Sequence, residues 1–94
     1  MLEKEVEKYL KKRVENSGGW ALKFISPGIS GVPDRIILYP GGQIYFVELK
    51  SPTGRTRILQ KKIQKMLRRF GFPVYTINSK EAADNFIWEV TCNE

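Results

Sequence analysis

The 94-residue chain is expected to be an α/β protein, a mixed β-sheet flanked by helices in the order α-β-β-β-α-β-α. Three observations carry that expectation. Two stretches, residues 2–15 and 57–70, repeat their apolar residues at the helical period. Two runs rich in β-formers, Arg35 to Tyr39 and Gln43 to Leu49, flank the turn Pro40-Gly41-Gly42. Helix-like and strand-like segments then alternate to the C-terminus, without repeats or low-complexity stretches.

The first helix ends at Asn16-Ser17-Gly18-Gly19, where glycine can take the left-handed backbone that closes a helix. Trp20 to Ile25 reads as the first strand, and residues 26–31 form a loop that delivers the chain to Pro33-Asp34. The two β-rich runs then make a hairpin. Ser51-Pro52-Thr53-Gly54 breaks the strand, and Arg55-Thr56-Arg57 adds charge to the loop. The second helix covers about 57–70 with Gly71 as its cap. Phe72 to Ile77 forms a fourth strand, and Ser79 is the N-cap of a last helix through Trp88.

Residues 1–94 are too few for a second domain, and a core this small gains from oligomerisation. Ala83, Phe86, Ile87 and Val90 of the last helix, with Trp88 off their stripe, offer more apolar surface than one small sheet face needs, a surplus that a two-fold homodimer would bury. Sixteen Lys and Arg against ten Asp and Glu give a net charge of +6, a balance that favours a polyanionic partner. Histidine is absent, which removes Ser-His and Cys-His nucleophiles, histidine metal ligands and any histidine general base. Catalysis must therefore rest on carboxylates, lysine and a metal. The single Cys92 excludes disulfides and zinc-finger clusters, and no apolar run suits a signal peptide or a membrane span. The expected location is cytoplasmic.

The hairpin carries the chemistry. With a three-residue loop, position 39 faces 43, 37 faces 45 and 34 faces 48, which sets Asp34 opposite Glu48 with Cβ atoms roughly 5 Å apart. Two opposed carboxylates destabilise a sheet unless one is protonated or a cation lies between them, and a divalent metal is the economical answer. Lys50 shares the Glu48 face, because side chains two apart on a strand point the same way. By itself such a lysine is more often a surface ion pair of little energy. Its place beside paired carboxylates makes it a catalytic candidate.

Helix phase judges the remaining polar residues. With Leu2 at zero, Tyr9, Val6 and Leu10 fall between about −20° and 80° and Val14 near 120°. Glu3 lies near 100°, inside that arc, and Glu7 near 140°, at its edge. A carboxylate aimed at the core needs a partner. Glu3 is the candidate third carboxylate of the site and Glu7 the reserve, against the plainer reading of a solvated first turn. In the second helix, Leu59, Ile63, Met66, Leu67 and Phe70 lie within about 100° and form a core stripe. Arg57, Lys61, Lys62, Lys65, Arg68 and Arg69 include most of the opposite face, with no acid among them. That face is either solvated or a phosphate-binding strip, and the like-charge density favours the strip, with Arg35 and Arg55 as further contacts. Gln60 sits on the border of the stripe, and its spacing fits both a site residue and an exposed amide.

Gly31-Val32-Pro33-Asp34-Arg35, then Phe46-Val47-Glu48-Leu49-Lys50-Ser51-Pro52, then Gln60, Gly71 and Val74 resemble the VRR-NUC family within the PD-(D/E)xK nucleases, in its compact stand-alone form typical of phages. The resemblance covers nearly the whole chain. It implies a restriction-endonuclease-like core and a phosphodiesterase with Glu3, Asp34 and Glu48 around Mg²⁺ or Mn²⁺, Lys50 handling the attacking water, and Gln60 in the signature helix. It also implies similarity to two-fold resolvases of branched DNA, hence a homodimer. The chemistry agrees: carboxylate oxygens and the Leu49 carbonyl are the hard ligands such ions prefer, and a bound ion both activates water and neutralises developing charge. Two readings from other classes stand beside this one, a non-catalytic nucleic-acid-binding module and a protein-interaction domain.

Overall fold

A computed structural model of the chain describes residues 2–51 and 56–92. The elements are α1 (Glu3–Asn16), β1 (Trp20–Lys23), β2 (Arg35–Tyr39), β3 (Gln43–Leu49), α2 (Ile58–Arg69), β4 (Val74–Ile77) and α3 (Lys80–Thr91). Their order is the expected one, and they form a single four-stranded mixed sheet, β1-β2-β3-β4. The first two pairings are antiparallel and the third, β3 with β4, is parallel. A parallel pair needs a crossover connection, which α2 supplies.

The hairpin has the expected register, with Tyr39 opposite Gln43 and Ile37 opposite Tyr45. Gly41 and Gly42, at φ of 90° and 78°, take the left-handed backbone that closes it, a conformation costly for other residues. The fourth strand starts later than its β-rich sequence implies. Gly71, at φ 95°, lets its own N–H reach the Arg68 carbonyl and that of Phe72 reach Leu67, so both close α2. Pro73 has no N–H, and pairing begins at Val74.

Period-two alternation divides the sheet into two unlike faces. On one, Ala21, Ile37, Tyr39, Val47, Leu49 and Ile77 pack against Val6, Leu10 and Val14 of α1 and Ala83, Phe86 and Ile87 of α3. Ser79 caps α3 as expected, its hydroxyl accepting from the Ala82 N–H at 3.0 Å. The stripe of α3 was expected to exceed what its own sheet could cover, with the surplus forming a dimer interface. It is instead absorbed within the chain: Ala83, Phe86 and Ile87 are all buried, and Trp88, off the stripe, is exposed.

The other face carries Phe46, Glu48 and Lys50, and α2 meets it in an orientation that the apolar pattern does not predict. The expected core stripe is covered only in part, with Ile63 and Leu67 half-buried. Leu59 is 46% exposed, Met66 49% and Phe70 70%, while Gln64 is the buried residue of the helix. The reason lies in the partner surface. A sheet face that holds a buried carboxylate and an ammonium cannot be covered by leucines without stranding both charges, so the helix turns its amides inward. Leu59 packs instead on the loop before β2. A Cβ on Gly31, whose φ is 88°, would lie 3.0 Å from the Leu59 Cγ and 3.2 Å from its backbone, so only glycine allows that approach.

Candidate active site

Asp34 is held where the chain enters β2. Its carbonyl accepts from the Phe24 N–H at 2.8 Å, and its Oδ2 accepts from the Leu49 N–H, also at 2.8 Å. The ladder ends at Arg35 opposite Val47, so Asp34 stands across from Glu48 just beyond it. Glu48 is 1% exposed. Its Oε2 accepts from the Gln60 Nε2 at 2.6 Å and pairs with the Lys50 Nζ at 3.1 Å. Its Oε1 is buried with no hydrogen-bond partner among the described residues.

Gln60 ties these groups together. Its Oε1 accepts from the Lys50 Nζ at 2.9 Å and from the Arg57 N–H at 3.0 Å, which also satisfies one of the open donors at the start of α2. One amide thus orients the acid, the lysine and the helix start. An ammonium has three donors, and two are directed at Gln60 and Glu48. The third remains for a water or a phosphate oxygen.

The electrostatics follow from burial. Desolvation pushes the Glu48 carboxyl above the usual carboxylate range, the Asp34 charge adds to the rise, Lys50 opposes it, and Glu3 adds a smaller push. Glu3 is exposed at the start of α1 but close enough for its charge to be felt. Among the described residues no three carboxylates converge into a ready-made metal cage. The donor set nonetheless suits a hard divalent ion. An unpartnered buried carboxylate oxygen beside a second carboxylate is an arrangement that a cation completes.

Two predicted residues have other uses. Arg35 was expected to meet nucleic acid, but it is 7% exposed and faces the core side of the sheet. Its Nε and Nη2 donate to the Glu7 Oε2 at 3.2 and 3.0 Å, and its Nη1 donates to the Ala21 carbonyl at 3.1 Å. Glu7, the reserve ligand, is thereby committed to Arg35. Burial decides the matter, since a guanidinium on that face must be paired. The signal was available: position 35 alternates in phase with Ile37 and Tyr39, so its side chain had to point inward. Arg35 directly follows Asp34, and Glu7 is one turn from Glu3, so the pair ties together the two segments that carry carboxylates. Gln64 was missed altogether. It is buried one turn from Gln60, with its Nε2 unpartnered among the described residues.

Arg57, Lys61, Lys62, Lys65, Arg68 and Arg69 are all exposed along α2. Arg68 also donates from its Nη2 to the Val74 carbonyl at 2.9 Å, which fastens the helix to β4. Arg55 lies outside the described residues.

A mixed sheet with a buried glutamate, an opposed aspartate and a same-face lysine, flanked by helices on both sides, defines a restriction-endonuclease-like core of the nuclease type. Residues 3–81 match the VRR-NUC domain, and the chain belongs to that family. It is 39% identical over 79 residues to the candidate nuclease p44 of Acyrthosiphon pisum secondary endosymbiont phage 1, an alignment spanning 84% of this chain and 85% of the relative. A solved VRR-NUC domain superposes with a TM-score of 0.84 at 34% identity, covering 90% of this chain and 92% of that one.

Proposed function

We propose that this protein is a Mg²⁺- or Mn²⁺-dependent endonuclease that hydrolyses DNA phosphodiesters, with branched DNA as its preferred substrate. The observation that carries the reading is the buried, unpartnered Glu48 Oε1 beside Asp34 and within one side chain of Lys50. Asp34, Glu48, the Leu49 carbonyl and Glu3 would hold the ion. A divalent metal bound there supplies an activated water and neutralises charge on the phosphate.

The chain's own residues do the rest. Lys50, fixed by Gln60 and Glu48, directs its remaining N–H at the attacking water or at a non-bridging phosphate oxygen. Gln60 keeps the ammonium and the carboxylate in register. The outer face of α2 draws in the phosphate backbone. The p44 relative, a phage protein named as a nuclease, supports the activity and is consistent with action in a host cytoplasm.

A two-fold homodimer completes the proposal, with its support moved from α3 to α2. Leu59, Met66 and Phe70 leave an exposed apolar stripe that the chain's own sheet does not cover, and a closed pair would bury it. Two sites in one dimer would suit a symmetric branched substrate.

The test is cleavage of linear duplex, single-stranded, flap and four-way-junction DNAs with Mg²⁺ or Mn²⁺, beside Asp34→Asn, Glu48→Gln and Lys50→Ala. Cleavage strongest on the branched substrates, lost in all three variants while Lys50→Ala still binds, is the expected outcome. Binding by the wild type without cleavage under any metal would favour the non-catalytic module instead.

A further inference from the structure

We propose that the groove between α1 and the start of α3, lined by Glu5, Lys8, Tyr9, Lys12 and Lys80, is a second contact for the nucleic-acid backbone, on the side of the sheet away from α2. This rests on the nucleic-acid reading above and adds residues to it. The groove is a concavity of about 280 Å³ whose lining residues include three lysines and one glutamate. Among the described residues no acid lies within ion-pairing distance of Lys8, Lys12 or Lys80. Asp84, which contacts Tyr9 of the groove wall, is already engaged: it pairs with the Arg13 Nε at 3.1 Å and accepts from the Tyr9 hydroxyl at 2.6 Å. The Lys80 ammonium lies 5.3 Å from the centroid of the Tyr9 ring, which orients it and leaves its charge available.

The topology brings one end of this groove, Lys80, near the strand edge that carries the carboxylates. β3 and β4 are parallel, so their C-terminal ends emerge at the same edge, and the Lys50 N–H donates to the Ile77 carbonyl at 3.0 Å. Lys80 is three residues beyond Ile77, at most about 11 Å of extended chain. On the other wall, Lys12 lies seven residues beyond Glu5 along α1, about 10 Å of helix rise. Phosphates on one strand of a duplex advance about 3.4 Å along the axis, so the groove matches a run of about three or four. A strand with one phosphate at Glu48 and Lys50 then has α2 on one side and Lys80, Lys8 and Lys12 on the other. The plainer reading is three solvated lysines with no partner.

Salt dependence separates the two readings. Fluorescence anisotropy of a labelled duplex, titrated in chelator to prevent cleavage, measures log K against log salt for wild type, for Lys12→Gln with Lys80→Gln, and for the charge-matched control Lys11→Gln with Lys23→Gln. Melting curves establish that all three are folded. Each phosphate contact contributes about 0.9 to the slope, so the groove pair should flatten it by about 2 and the control should leave it unchanged. Equal slopes for the groove pair and the control overturn the groove and leave the α2 contact standing. A wild type with no salt-dependent affinity for DNA removes both.

Discussion

Removing Glu7 should damage the fold more than removing Arg35, although the two form one ion pair. The Arg35 side chain is 9% exposed, against 30% for Glu7. In Glu7→Ala the guanidinium stays buried with the Ala21 carbonyl as its remaining partner, and an uncompensated buried charge costs about 3 kcal/mol. In Arg35→Met the apolar volume is largely kept and the Glu7 carboxylate rehydrates. What remains is the Ala21 carbonyl without its donor, about 1 kcal/mol. The difference is about 2 kcal/mol, in a domain whose whole stability is of order 5–15 kcal/mol. For a chain of this size it corresponds to a melting-temperature gap of about 8–16 °C. Urea unfolding followed by Trp20 and Trp88 fluorescence measures both variants, with the slope checked for constancy. Equal losses, or a larger loss in Arg35→Met, would refute the argument that the buried charge controls the pair.

Two further outcomes follow from the site and from the surface. Because the folded-state value of Glu48 is raised, the native protein holds this proton more tightly than the unfolded chain does. Its contribution to stability is therefore present at low pH and lost as pH rises from the ordinary carboxylate range through the raised value. In chelator, Glu48→Gln should accordingly be more stable than wild type at neutral pH, with the advantage shrinking on acidification; a constant gap across pH would show that Glu48 ionises normally. Sedimentation equilibrium at micromolar concentration should give about twice the 10.9 kDa chain mass, and Phe70→Asp should reduce it to the monomer. A wild-type monomer with or without junction DNA would dispose of the dimer.

The hairpin was legible because its determinants are local: a Pro-Gly-Gly turn and two β-rich runs fix which residues oppose each other, and with them the Asp34–Glu48 juxtaposition. The helix starts were readable for the same reason, although α3 runs to Thr91 where Trp88 was expected and β1 stops at Lys23 short of Ile25. The orientation of α2 was not. Periodicity identifies the apolar side of a helix, but which side meets the sheet depends on what the sheet presents, and here that is Glu48 and Lys50, ten and more residues away in sequence. Gln60 shows the limit most clearly, since only the fold brings its amide between the acid and the lysine. Arg35 shows the opposite case, where alternation alone held the answer and its charge drew attention elsewhere.

The inward turn of the amides in α2 also bears on motion. An element held by a few polar links, with its apolar side chains largely in solvent, opens at lower free energy than α1 or α3, whose stripes are buried. Gln60 leaves with it, and Lys50 and Glu48 then lose their shared partner while the core stays intact. Opening of this one helix is therefore enough to take the site apart. Under the proposed function, a polyanion that grips the basic outer face of α2 would favour the seated helix, so that its capture and the ordering of Lys50 become one event.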